Sequence, residues 1–186
     1  EAEVLSPGVK TVAYTYIGSE LTWPIYWEGT LGLAKADLDR ASQAIAEKLT
    51  PLEGDARVAV LKAIVSQASA AIPVVPLYAA LLFRVMKDQG THEQCIEHIH
   101  RLFATQLEAG CEMRLDESGR IRLDDLELAD AVQQEVKERW PVVTTENLSE
   151  LGDLAGFRLD FLKIFGFGLE GVDYDAEVDP MRLGTE

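Results

Sequence analysis

Residues 57–65, RVAVLKAIV, form a nearly unbroken apolar run rich in β-branched side chains. A strand with one wet face alternates, so this run is the pattern of a strand covered on both faces, as in parallel sheets. A second strand is expected within residues 10–18, KTVAYTYIG, where Val12, Tyr14 and Tyr16 share one face. Most of the remaining chain reads as helix. Two parallel-type strands cannot cover their own faces or edges. The expected fold is therefore α/β: an incomplete, Rossmann-like doubly wound sheet, helix-rich, completed by sequence outside this chain.

The helices follow from apolar spacing. Leu31, Ala34, Leu38, Ala41, Ile45 and Leu49 recur at helical intervals, and Pro51 stops the run. PLYAALLFRVMKDQG opens with Pro76, where a first turn accepts proline, and closes with Gly90. The next segment suggests a capping box of Thr91 with Gln94, followed by Ile96, Ile99, Phe103 and Leu107 on one face. A further helix is expected from about Asp125 to Trp140, capped by Asp124. Phe157, Phe161 and Phe165 recur at four-residue steps and are expected to pack in the core. Residues 1–75 thus read as a sheet-forming part and residues 76–186 as a helical part.

The chain carries 32 acidic and 17 basic residues, a net charge of −15. That balance excludes nucleic acid and anionic membrane as expected partners, because both need basic patches. An anionic acyl carrier would still need local cations; Arg57, Lys62, Arg84 and Lys87 are candidates. The longest apolar stretch, residues 68–85, is broken by Pro73, Pro76 and Arg84 and reads as a bent core segment rather than a membrane span. Cys95 and Cys111 lack metal or redox spacing and read as reduced thiols of a cytoplasmic protein.

The chemically suggestive stretch is YTYIGSELTWPIYWEGTLGLAK. Tyr26 and Lys35 are nine positions apart, about two and a half turns, and would point to opposite sides of one continuous helix. Pro24, Gly29 and Gly32 interrupt any such helix, so Tyr26 can fold back over the start of the helix bearing Lys35. A cation near a phenol favours the phenolate and eases proton transfer near neutrality. The spacing alone favours an interfacial tyrosine and a solvated lysine.

The same stretch, with SQASAAIPVVPLYAALLFRVMKDQGTHEQCIEHIHRLF, RIRLDDLELADAVQQEV, WPVVTTENLSEL and FGFGLEGVDYD, resembles the FabV-type trans-2-enoyl-CoA and enoyl-acyl-carrier-protein reductases. These belong to the broad short-chain dehydrogenase/reductase group. The resemblance runs from Tyr14 to Asp175. It implies NADH-dependent reduction of a trans-2-enoyl thioester in fatty-acid biosynthesis. The family's tyrosine, eight residues, then lysine falls on Tyr26 and Lys35. Tyr26 is then expected to hydrogen-bond the thioester oxygen and donate the proton. Lys35 is expected to hold the nicotinamide ribose and lower the tyrosine pKa. Tyr16 matches a second family tyrosine placed against the substrate, and Ile64, Val65 and Ser66 match a cofactor-contacting loop. Threonine is the commoner family residue where Ser66 stands, a change that keeps the hydroxyl.

Family chains are longer and begin with a Gly-rich phosphate-binding turn on the first strand and helix of the sheet, which nothing before Tyr14 supplies. The expectation is a C-terminal half, unable by itself to bind NADH normally or turn over, whose partners are its N-terminal half and an enoyl-carrier-protein or enoyl-CoA substrate. A monomer is expected, and no metal. His92, His98 and His100 read as exposed residues rather than zinc ligands. Residues 173–179, DYDAEVD, read as a solvated acidic tail rather than a calcium loop, with Val178 where such a loop needs glycine. Leu77, Leu81 and Phe83 suit either an acyl channel or plain core. Two alternatives stay open: an acidic helical interaction module without catalysis, and a crotonyl-CoA reductase of fermentation.

Overall fold

The computed structural model describes residues 4–179. Its centre is a three-stranded parallel sheet in the order β1-β2-β3. Strand β1 (Lys10–Thr15) pairs with β2 (Asp55–Val60) in a register running from Lys10 opposite Asp55 to Thr15 opposite Val60. The third strand, β3 (Ile121–Arg122), pairs on the other side, with Ala59 opposite Ile121 and Val60 opposite Arg122. The apolar run thus lies in the middle, and Val58, Ala59 and Val60 are buried. It leaves the sheet after Val60; Leu61–Ser66 continue as a loop.

Parallel neighbours need crossovers, and both are helical. Between β1 and β2 run a single turn, α1 (Trp23–Tyr26), and the long α2 (Thr30–Leu49). Pro51 closes α2 in a 3-10 turn, Thr50–Leu52. From β2 to β3 the chain passes through α3 (Gln67–Ala71), α4 (Val75–Asp88) and α5 (Cys95–Leu102). After β3 come α6 (Asp130–Arg139), α7 (Leu148–Leu151) and α8 (Leu154–Lys163).

Side chains alternate along a strand, which sorts the helices by face. Thr15 meets Lys35 of α2 on one face. Ala59, Leu61, Ile121 and Leu123 pack with Leu102 and Ile99 of α5 on the other. The larger apolar cluster centres on α4, whose Tyr78, Leu81, Leu82, Val85 and Met86 are fully buried against α6 and α8.

Several expectations need correction. The Thr91 hydroxyl donates to the Met86 carbonyl, and α5 starts at Cys95 with no side-chain cap. Ile96 is 77% exposed, while His98 turns inward at 0%; α5 ends in a π-helical turn, Phe103–Leu107, that shifts the apolar face. The sixth helix begins at Asp130, because the Asp124 carboxylate is taken by Arg122 at 2.8 and 2.6 Å. Of the phenylalanine stripe Phe157 is buried in the core and Phe161 packs half-buried against it, whereas Phe165 is half-exposed. Leu81 is core, whereas Phe83 also lines a cleft.

Candidate active site

Tyr26 closes α1, and Trp27–Gly29 turn the chain into α2. The turn is tight. A Cβ on Gly32 would lie 1.9 Å from the Trp27 carbonyl oxygen, so only glycine lets α2 start this close to α1. Lys35 follows one turn later. Its ammonium donates to the Thr15 hydroxyl at 2.8 Å and lies 5.7 Å from the Tyr26 ring centroid. Residues nine apart in sequence thus meet at the end of β1.

Tyr16 stands on the same wall, its ring edge-on to Tyr26 with centroids 4.8 Å apart. Its hydroxyl does not face the cleft. It donates at 2.9 Å to Glu127, a fully buried carboxylate that also accepts from Tyr78 at 2.8 Å and from the Ala63 N–H at 2.5 Å. Gly18, at φ +75, leaves room for this phenol; a Cβ there would lie 2.7 Å from its oxygen.

The loop after β2 closes the site. Ser66 caps α3 reciprocally with Ser69, and Ser69 donates to the Ile64 carbonyl at 3.0 Å. Tyr16, Tyr26, Lys35, Ile64 and Ser66 all line one cleft of about 480 Å³, with an apolar floor that includes Ile72 and Val75. Val65 does not join them. It faces a second cleft of about 380 Å³ behind the loop, with Phe83, His92 and Ile96; Ile64 borders both.

The electrostatics correct another expectation. Burial, seconded by the Glu127 carboxylate, raises the Tyr26 pKa above 10.0 rather than lowering it. Burial lowers Lys35, with Asp39 opposing. Tyr16 and Tyr78 are raised well above 10.0 by burial and by Glu127, and Glu127 is itself raised by burial. Both phenols by the cleft are held protonated.

The basic candidates and two of the three histidines also settle differently, while His100 is exposed as expected. Arg57, Arg84 and Lys87 are engaged by Asp55, Asp88 and Asp153. Lys62 is 1% exposed, donates to the Ala63 carbonyl, and is pushed down to about 8, mainly by burial. His98 accepts from the Lys62 N–H at 3.3 Å and meets Glu93 at 2.9 Å. Burial, seconded by Lys62, holds His92 near 4, so it is neutral at pH 7. Among the described residues no cluster of three or more such ligands could hold a metal. Residues 173–179 are exposed.

Sequence reasoning passed over Glu127, Tyr78 and Thr15. Glu127 carried one signal: a carboxylate flanked by leucines, in LEL.

Residues 1–108 match the family described as the trans-2-enoyl-CoA reductase catalytic region. The chain belongs to that family. Residues 115–178 match a second description, the enoyl reductase FAD binding domain. An enoyl-[acyl-carrier-protein] reductase [NADH] of Tolumonas auensis is 61% identical over 180 residues, covering 97% of this chain and 45% of the relative. One from Opitutus terrae is 58% identical, covering 97% and 46%. Among solved structures, a Clostridium trans-2-enoyl-CoA reductase in complex with NAD superimposes with a TM-score of 0.89 at 46% identity, over 95% of this chain and 46% of that one. The Treponema denticola enzyme in complex with NAD gives 0.87 at 46% identity, over 95% and 44%. This reductase-family chain therefore spans less than half the length of the curated relatives it matches.

These names imply two cofactors, and the residues fit them unequally. The Lys35 ammonium beside the Tyr26 phenol suits the hydroxyl-rich ribose at the nicotinamide end of NADH. The other end needs a Gly-rich turn that joins a strand to a helix, and the one G-x-G-x-x-G of the sequence, residues 166–171, follows α8 and opens no helix among the described residues. Within residues 115–178 the starts of α6 and α8 do not suit the diphosphate of FAD: α6 carries Asp130 in its first turn, and the Asp153 carboxylate already caps α8 through Gly156.

Proposed function

We propose that this chain carries the proton-donating, substrate-facing part of an NADH-dependent trans-2-enoyl thioester reductase of fatty-acid synthesis. The observation that supports the reading is the convergence of Tyr26, Lys35 and Ser66 on one cleft with an apolar floor. An inert interaction module has no need of such convergence.

Bound NADH supplies a hydride to the β-carbon of the enoyl thioester. The chain's own residues do the rest. Tyr26 hydrogen-bonds the thioester oxygen, where negative charge gathers as the double bond is reduced. Its phenol, held protonated, then donates its proton to the enolate, and solvent restores it. Lys35 holds the nicotinamide ribose while Thr15 fixes its ammonium. Ile64 and Ser66 form the cofactor-side wall, and Val65 braces that wall from behind. Tyr16 backs Tyr26 and presents its ring to the acyl group. The apolar side chains of Ile72 and Val75 exclude water from the reacting carbons.

The diphosphate and adenosine are held by a nucleotide-binding half that also continues the sheet beyond β1. The carrier is acyl carrier protein or coenzyme A, because both present the same thioester and pantetheine arm; crotonyl-CoA reduction in fermentation uses the same cleft. This reading places the enzyme in the cytoplasm as a monomer. Among the described residues no helix is long and apolar enough to cross a membrane.

The test follows NADH consumption with crotonyl-CoA by the 186-residue chain alone and by the chain joined to a nucleotide-binding half. Turnover by the joined enzyme only is expected. Full turnover by the chain alone, or none by the joined enzyme, would contradict the reading.

A further inference from the structure

We propose that Glu127 is a positioning residue of this site: one buried carboxylate that ties the Tyr16 phenol to the backbone of the cofactor-side loop. The proposal rests on Tyr26 being the proton donor.

Glu127 comes from the segment between β3 and α6, far from both tyrosines in sequence. Its side chain is inaccessible, so its charge is expensive to bury. What it provides is geometry. Three donors converge on two oxygens: the Tyr16 and Tyr78 hydroxyls on Oε1 at 2.9 and 2.8 Å, and the Ala63 N–H on Oε2 at 2.5 Å. Gln133 donates to the Tyr78 hydroxyl at 3.2 Å and to the Glu127 carbonyl at 2.7 Å, which sets both partners.

The consequence runs to the reacting groups. Tyr16 is pinned at its hydroxyl, and its ring stands perpendicular to that of Tyr26 at 4.8 Å. Ala63 lies in the loop that presents Ile64 and Ser66 to the cleft. One carboxylate therefore fixes the spacing between the tyrosine wall and the cofactor wall. The Ala63 N–H can only donate, so it requires an acceptor. Glutamine would keep its oxygen there and turn its NH2 to the phenols, which would have to reverse from donor to acceptor and give up their charge-assisted bonds, so the tyrosine wall is held less firmly.

The experiment measures kcat, thioester KM and melting temperature for the enzyme with its nucleotide-binding half, using NADH and crotonyl-CoA. The variants are Glu127→Gln, Tyr16→Phe, Tyr78→Phe, the Glu127→Gln/Tyr16→Phe double and Tyr26→Phe. Misplacing a reacting group by about 1 Å costs up to roughly 100-fold, so Glu127→Gln and Tyr16→Phe should each lower kcat by roughly 10- to 100-fold with KM little changed. The double variant should be no worse than the poorer single within about threefold, because both act through one hydrogen bond. Tyr78→Phe deletes a donor to the same oxygen without touching the wall, and should stay within about threefold of wild type. Losses that multiply in the double, a wild-type kcat in Glu127→Gln, or equal losses in Tyr78→Phe and Tyr16→Phe would overturn the proposal. Should Glu127→Gln fail to fold, the two tyrosine variants still decide it. An unchanged rate in Tyr26→Phe instead removes the proton-donor reading beneath it, and is separately visible.

Discussion

The Lys35 ammonium lies 5.7 Å from the centroid of the Tyr26 ring and gives its hydrogen bond to Thr15, not to the phenol. Lys35 is therefore placed to hold a ribose rather than to ionise the tyrosine. Lys35→Met should raise the KM for NADH by about 10-fold, the loss of a charge-assisted hydrogen bond. Steady-state kinetics with varied NADH checks this; an unchanged KM would move the ribose contact elsewhere.

The same relationship fixes a pH dependence. Burial and Glu127 raise Tyr26 above 10.0, so the acid form needed for proton donation persists throughout the neutral range. A plot of log kcat should show no loss from Tyr26 ionisation until the pH exceeds 10. A decline centred near neutrality that vanishes in Lys35→Met would restore the tuned-phenolate idea.

Glycine at 32 carries the turn that joins the two groups. A Cβ there meets a backbone oxygen at 1.9 Å, while one at Gly29 meets nothing closer than 3.8 Å. Gly32→Ala should cost about 1–3 kcal/mol of stability through overpacking. It should also lower kcat, because α2 must shift away from α1. Gly29→Ala should do neither. Thermal melts and turnover of the pair check the contrast.

Much of this was readable before any coordinates. The unbroken run through Val58, Ala59 and Val60 marked the central strand, and Pro24, Gly29 and Gly32 marked the break that lets Tyr26 meet Lys35. Strand β3 was not readable: two residues, Ile121 and Arg122, are too short to show alternation. His98 and Glu127 escaped because both are polar residues drawn inside by partners distant in sequence, Lys62 for one and Tyr16, Tyr78 and Ala63 for the other. Periodicity sees only the apolar half of a core. Lys62 misled as a surface cation for the same reason.

Lys62 makes a prediction about stability. Its folded pKa, about 8, lies below the ordinary 10.5, chiefly through burial, against the attraction of Glu127 and Glu93. Between these values the unfolded chain binds more protons than the folded one, so this group makes stability rise with pH from about 8 to 10.5. Denaturant melts across that window should show the rise in wild type and lose this contribution in Lys62→Met. An identical pH dependence in the two would mean that the ammonium is solvated.

The most direct measurement compares wild type with Tyr26→Phe in the enzyme carrying its nucleotide-binding half, by NADH oxidation with crotonyl-CoA. The substitution removes one hydroxyl and leaves the ring contacts with Tyr16 and Lys35 in place. General-acid and oxyanion roles together predict a fall in kcat of roughly 100- to 10,000-fold with an unchanged melting temperature and NADH affinity. A variant that turns over at the wild-type rate would contradict the account.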